Sequence, residues 1–285
     1  MHLIYARFFT KALKDLGFVK FDEPFTKLFN QGIMYKDGSK MSKSAGNVVF
    51  QTDISDKYGI DTARLFLMFV SSPDKQMEWS DEGVEGSFRI INKLIRLKEK
   101  VADKGDARQE SKINLAVKKA TESIEKFEYP KAIISVIECI DAFSDSISGK
   151  NYEILLKLLH PFCPHITEEL WHEIGNKNFI SLEKWPCANE SKIDLELEKQ
   201  EQQVEKTISD IRNIIRIISE KGNKAGKIYL YVLPKELRMY SESKGAIEKS
   251  LNLPVEILAV NDSKKHDPQN KSGKAKPGKP AIYIE

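Results

Sequence analysis

The stretch INLAVKKATESIEKFEYPKAIISVIECIDAFSDSI, residues 113–147, carries two apolar stripes of helical period in succession. Ile113, Val117, Ala120, Ile124 and Phe127 recur three or four positions apart, and Ile133, Ile137, Ile140, Phe143 and Ile147 repeat the pattern beyond the Tyr129-Pro130 turn. A helix with one apolar face must bury it against another element, so this stretch predicts two neighbouring helices of a bundle. On its N-terminal side, Val84, Phe88, Ile91 and Ile95 form a further stripe, with Arg89, Lys93, Arg96 and Lys98 on the other faces. On its C-terminal side, helical segments around residues 155–159 and 166–174 bring the bundle to about five helices, joined by the short connections such bundles use.

The flanks differ from this centre. Tyr5, Phe9, Leu13 and Leu16 predict a helix over residues 2–16 closed by Gly17, and almost no chain precedes it, so a fragment or a subunit that completes a partner is expected. Pro24 opens a short helical turn through Phe25, Leu28 and Phe29, residues 32–35 read as a strand, and Asp37-Gly38 is a turn signal. Asp61 is placed to cap a helix over residues 62–70, with Pro73 beyond its end. Past Trp185-Pro186, Val204, Ile208, Ile211, Ile215 and Ile218 mark a long charged helix that stops near Gly222. Residues 228–233, 255–260 and 281–285 then read as strands of a small α+β domain, and 262–280, rich in Lys, Gly, Ser, Asn and Pro, reads as a flexible loop.

The composition fits these readings. Two or three domains are expected for 285 residues, of which 41% are hydrophobic and 31% charged. No apolar run approaches the length of about 18 residues that a membrane span requires. Three cysteines without CxxC spacing disfavour a disulfide framework or a zinc ribbon, and a cytoplasmic location is expected. Cys163, His165 and His172 are a poor metal set, because structural zinc favours paired ligands. The net charge of +3 resides in residues 261–285, where six lysines face three acidic residues, while the rest of the chain balances.

Chemistry concentrates in residues 38–49: Gly38-Ser39-Lys40-Met41-Ser42-Lys43-Ser44-Ala45-Gly46-Asn47-Val48-Val49. Two lysines three positions apart, among hydroxyl and glycine residues just after a turn, suit a polyphosphate, whose leaving pyrophosphate gains negative charge in the transition state. On the pattern alone a solvated lysine-rich hairpin loop accounts for them better. However, Lys40-Met41-Ser42-Lys43-Ser44 is identical to the KMSKS signature, and the chain resembles the class I aminoacyl-tRNA synthetases in it. The surrounding residues are similar to the leucyl type: Gly46-Asn47-Val48-Val49, then Tyr58-Gly59-Ile60-Asp61-Thr62-Ala63-Arg64, then 78–86, where a valyl or isoleucyl enzyme would read differently. The resemblance is dense to about Arg96, returns at residues 160–171, and over 277–285 is similar to the archaeal type.

That resemblance implies a multidomain, mostly α chain. Residues 1–80 would be the C-terminal part of a Rossmann-type α/β catalytic domain, 81–190 a tRNA-binding helical bundle, and 191–285 a long helix with a small α+β domain. It implies ATP-dependent joining of leucine to tRNA(Leu), with Mg²⁺ accompanying ATP. Lys40 and Lys43 would be catalytic, and Lys40, Met41, Ser42, Lys43 and Ser44 would bind ATP. His2 would lie near the amino acid, and Arg89, Lys93 and Arg96 would touch tRNA, although a solvated helix face explains them as well. Ala45 stands where many relatives carry a third lysine, and the HIGH tetrapeptide and the editing insertion have no counterpart here. The N-terminal half of the synthetase is therefore an expected partner. Rival readings are a non-catalytic tRNA-binding or assembly module and a valyl or isoleucyl fragment.

Overall fold

The first helix of the computed structural model, α1 (His2–Asp15), has no buried residue, and Gly17 follows it at φ 80°. The structure describes residues 1–285 except 221 and 223. Arg7 and Lys11 tie α1 to Glu23 at 2.7 and 3.1 Å, and their hydrogen bonds pull the Glu23 carboxyl down to about 2. The helical turn expected after Pro24 is absent: residues 24–29 are bends and irregular backbone. A single apolar turn gains helical order only from packing, and here Phe25 and Leu28 are exposed while Phe29 stacks on Phe127 at 4.7 Å.

Strands β1 (Met34–Lys36) and β2 (Ser39–Lys40) form an antiparallel hairpin. Asp37 and Gly38 join them at φ 55° and 71°, the two positive values that a type I′ turn demands. Helices α2 (Gln51–Tyr58) and α3 (Ile60–Val70) follow, and β3 (Met77–Glu78) pairs parallel to β1, giving the order β2-β1-β3.

The bundle comprises α4 (Asp81–Leu97), α5 (Ala107–Glu125), α6 (Tyr129–Ala142), α7 (Gly149–Leu159) and α8 (Pro164–Glu173). Local chemistry explains where these helices start. The side chains of Ser80, Asp106 and Ser148 accept from the backbone N–H groups of Gly83, Gln109 and Asn151, and Pro130 and Pro164 open α6 and α8, where a missing N–H costs nothing. Leu94, Ile113, Ala120, Ile133, Ile140, Leu155 and Leu158 are almost wholly buried in one core, which also takes Leu65 from α3. Each of these leucine and isoleucine side chains contributes about 1.5–3 kcal/mol of burial free energy. The second stripe ends sooner than its spacing suggests. Helix α6 stops at Ala142, and Ile147 belongs instead to β5 (Ile147–Ser148), parallel to β4 (Val101–Ala102). Gln109 completes this short pair, donating to the Ser146 carbonyl and accepting from the Ser148 N–H.

Contacts divide the chain into two compact units, Met1–Lys192 and Ile193–Glu285. The second begins with α9 (Leu195–Glu220), followed by β6 (Ile228–Val232), α10 (Leu237–Leu251), β7 (Val255–Ala259) and β8 (Ala281–Ile284). β6 lies between its parallel neighbour β7 and its antiparallel neighbour β8. One sheet face, with Ile228, Leu230 and Val232, packs on Val204 and Ile211 of α9 and on Tyr240 and Ile247 of α10.

The flexible loop expected over 262–280 is in fact built. Tyr231 Oη donates to the His266 carbonyl at 2.5 Å, and the Asp267 carboxylate accepts from the N–H groups of Lys271 and Ser272 at 2.7 and 2.9 Å. Ser272 is buried, and Lys276 and Lys279 bridge one another. Among the described residues no helix is long and apolar enough to cross a membrane.

Candidate functional site

The lysine-bearing loop grows from the β2-β1-β3 sheet. Gly32 is where the chain enters it: its N–H donates to the Pro73 carbonyl, and a Cβ there would lie 1.6 Å from the Lys75 carbonyl oxygen. Met77 N–H donates to Ile33 and Trp79 N–H to Tyr35, so β3 holds the hairpin from one side. Glu78 accepts the Gly38 N–H at 3.1 Å, fixing the turn.

Beyond β2, Met41 N–H donates to the Met34 carbonyl, and the chain then makes a single 3₁₀ turn, Lys43–Ala45. Ser42 caps that turn, its Oγ accepting from the Ala45 N–H at 3.2 Å and lying 3.2 Å from Ser44 Oγ, and Gly46 ends it at φ 69°. Lys40 therefore stands at the end of a strand, and Lys43 opens the turn that follows. Both are exposed, and among the described residues neither makes an ion pair. An ammonium pair without a carboxylate partner, presented among hydroxyls and backbone N–H groups, is able to receive a polyanion. Met41 and Ser42 are half-buried, and Ser44 is exposed. One further residue of the quoted stretch has a place here that its spacing does not assign. Asn47, just past the loop, turns its carboxamide back into it. A polar residue following a glycine was the available signal, and spacing alone gave it no role.

His2 is the exposed first residue of α1, and among the described residues its side chain makes no hydrogen bond, so its expected role near the amino acid stands on the resemblance alone. Arg89, Lys93 and Arg96 are exposed along α4. Arg89 and Lys93 border a cavity of about 450 Å³ floored by Phe66, Phe69, Val70 and Ile90, and Lys93 and Arg96 border a second of about 370 Å³ with Lys100. Lys93 is paired with Asp141 at 2.5 Å.

Asp61 does not cap its own helix. Gly59 occupies that position, and the buried Asp61 carboxylate instead accepts from the Ile166 N–H at 2.7 Å and contacts His165 Nδ1 at 2.8 Å, capping α8 from a distance of a hundred residues in sequence. His165 thus has an acidic structural partner, His172 is 3.2 Å from Glu168, and burial pushes the Cys163 thiol up. Among the described residues no three His, Cys, Asp or Glu side chains gather as a metal site.

Residues 6–80 match the profile of class I tRNA synthetases (I, L, M and V), and residues 106–230 match that of the anticodon-binding domain of tRNA ligase. The leucine–tRNA ligase of Geotalea uraniireducens is 42% identical over 229 residues, covering 69% of this chain and 27% of that protein. The leucine–tRNA ligase of Thermotoga maritima is 36% identical over 279 residues, or 87% of this chain and 34% of the relative. Among solved structures, the ternary complex of Agrobacterium radiobacter K84 agnB2 LeuRS, tRNA and LeuAMS is 31% identical with a TM-score of 0.58, over 68% of this chain and 28% of that one. The chain thus spans about a quarter to a third of the curated relatives it matches. The lysine loop falls inside the first matched segment and most of the bundle inside the second, and the chain belongs to the class I tRNA synthetases, on the leucine branch of that family.

Proposed function

We propose that the chain takes part in ATP-dependent ligation of leucine to tRNA(Leu), supplying the Lys40–Ser44 loop and an RNA-facing bundle to a catalytic site whose remaining part lies in further polypeptide. The observation that carries this reading is the loop, with two ammonium groups that make no ion pair among the described residues, Lys40 at the end of β2 and Lys43 on the capped turn that follows. In the reaction the leucine carboxylate attacks the α-phosphorus of ATP, the bond to the β-phosphate oxygen breaks, and pyrophosphate leaves with the bonding pair. Lys40 and Lys43 meet the charge that grows on that leaving group, a contribution larger in the transition state than in the ground state. The tRNA terminal ribose hydroxyl then takes the aminoacyl group and AMP departs. Among the described residues no three His, Cys, Asp or Glu side chains gather, and no residue is assigned here to the Mg²⁺ that would accompany ATP.

Exposure in the N-terminal region supports the further polypeptide. Leu3, Ile4, Tyr5, Phe8, Phe9, Leu13, Leu16, Phe18 and Phe21 all face solvent, as a cut core would. The test is leucine-dependent exchange of pyrophosphate into ATP. The chain by itself should give none, and mixing it with the N-terminal catalytic part of a leucine–tRNA ligase should produce it. In that mixture Lys43→Ala should lower the rate by roughly 10²–10³ with leucine KM little changed. A mixture that binds tRNA tightly yet never exchanges pyrophosphate would favour the rival, a non-catalytic tRNA-binding module.

A further inference from the structure

We infer that Asn47 is a positioning residue for Lys40 and Lys43, a side-chain staple that holds the lysine loop in shape before any phosphate arrives; the inference rests on the functional reading above. Asn47 Oδ1 accepts the Ser42 N–H at 3.0 Å. Its Nδ2 lies 3.4, 3.4 and 3.3 Å from the carbonyl oxygens of Lys36, Ser39 and Lys40, so two amide hydrogens are shared among three acceptors. One half-buried side chain therefore holds the last residue of β1, both residues of β2 and the residue that caps the turn. It thereby holds Lys40 by that residue's own carbonyl and Lys43 by the N–H of Ser42, the residue before it.

The local backbone explains how the staple reaches. Gly46 adopts a left-handed conformation at φ 69°, which reverses the chain and returns Asn47 to the foot of the hairpin. Without the carboxamide, the Ser42 N–H and these carbonyls would turn to water, and the turn that carries Lys43 would be free to sample other conformations. A loop that must be ordered by the substrate spends binding free energy on that ordering, whereas a preformed loop directs its ammonium groups at the charge developing on pyrophosphate. Asn47 touches neither ATP nor leucine in this scheme, and its effect passes through the lysines.

Two measurements test this. Hydrogen exchange on the full chain, read at individual amides, should show Ser42 N–H exchanging at least about tenfold faster in Asn47→Ala, while Leu94, Ile113 and Ile133 amides in the bundle keep their wild-type rates. In the completed enzyme, Asn47→Ala should lower pyrophosphate exchange about tenfold in the wild-type background but less than about twofold in the Lys43→Ala background, because residues that act through one another are not additive. Unchanged Ser42 protection overturns the staple. Equal losses in both backgrounds overturn its action through Lys43 and leave Asn47 as ordinary scaffold. If Lys43→Ala itself leaves exchange intact, the proposed function fails, and the hydrogen-exchange result still decides the staple.

Discussion

Single side chains divide here into those the sequence marks and those only the fold explains. Lys40 and Lys43 stand out by their setting, whereas Asn47 and Asp61 acquire their roles from partners brought to them by the fold, five or more than a hundred positions away. The three expected tRNA contacts are likewise unequal in the structure. Lys93 is already paired with Asp141, while Arg89 is exposed and among the described residues makes no ion pair. Arg89→Ala should therefore weaken tRNA binding and shallow its salt dependence by about one counterion, and Lys93→Ala should do less. Filter binding across a salt series measures both. His160 offers a pH test. Burial holds its pKa below the ordinary 6.5 despite Glu168 and Asp61 nearby, and its Nδ1 lies 2.9 Å from Thr167 Oγ1, which itself donates to the Cys163 carbonyl. The unfolded chain thus binds this proton more readily than the folded one. The stability contributed by neutral His160 is fully present above pH 6.5 and declines as pH falls from there through the lower folded value. His160→Asn keeps a donor toward Thr167 without titrating. Its melting temperature should fall less than that of the wild type between pH 7.5 and 5.5.

Helices and strands show the same division between near and far causes. The N-terminus of α8 has no cap from its own segment, since Cys163 provides none, and the carboxylate of Asp61 serves instead. Asp61→Ala should destabilise the first unit by about 1–3 kcal/mol, and Asp61→Asn, which keeps one acceptor, by less. Urea unfolding followed by the fluorescence of Trp171, buried on α8, would measure the difference. The bundle helices were readable because Ile113, Val117 and Ala120, or Ile133 and Ile140, are placed by a local period that burial then rewards. The same period misled at Ile147, whose place in the stripe is a coincidence of spacing; the chain leaves the helix at Phe143, and Ile147 is buried in a strand paired with Val101. Two-residue strands carry too little pattern to be seen in advance. Residues 262–280 failed for a different reason. Their composition is that of a linker, and the bonds that order them, from Tyr231 and within the Asp267 turn, depend on the fold.

Among the described residues the two largest buried clusters do not share residues. The core around Leu94, Ile113 and Leu158 lies within Met1–Lys192, and that around Val204, Leu230 and Tyr240 lies within Ile193–Glu285. Residues 193–285 expressed alone should therefore melt cooperatively, with a calorimetric enthalpy matching the van't Hoff value. A broad, noncooperative trace would show that this unit needs the other. The N-terminal region is the exception to this self-sufficiency. Among the described residues, more than half of the large apolar side chains left in solvent fall within residues 1–33. In a cell, such a surface is what chaperones and proteases use to distinguish finished proteins from unfinished ones. On the proposed reading, the polypeptide would be an orphan by this criterion until further polypeptide covered α1, and its lifetime would be set by how quickly it is claimed. Assembly would then govern abundance as well as activity, with surplus copies cleared instead of accumulating as half-enzymes that occupy tRNA without charging it.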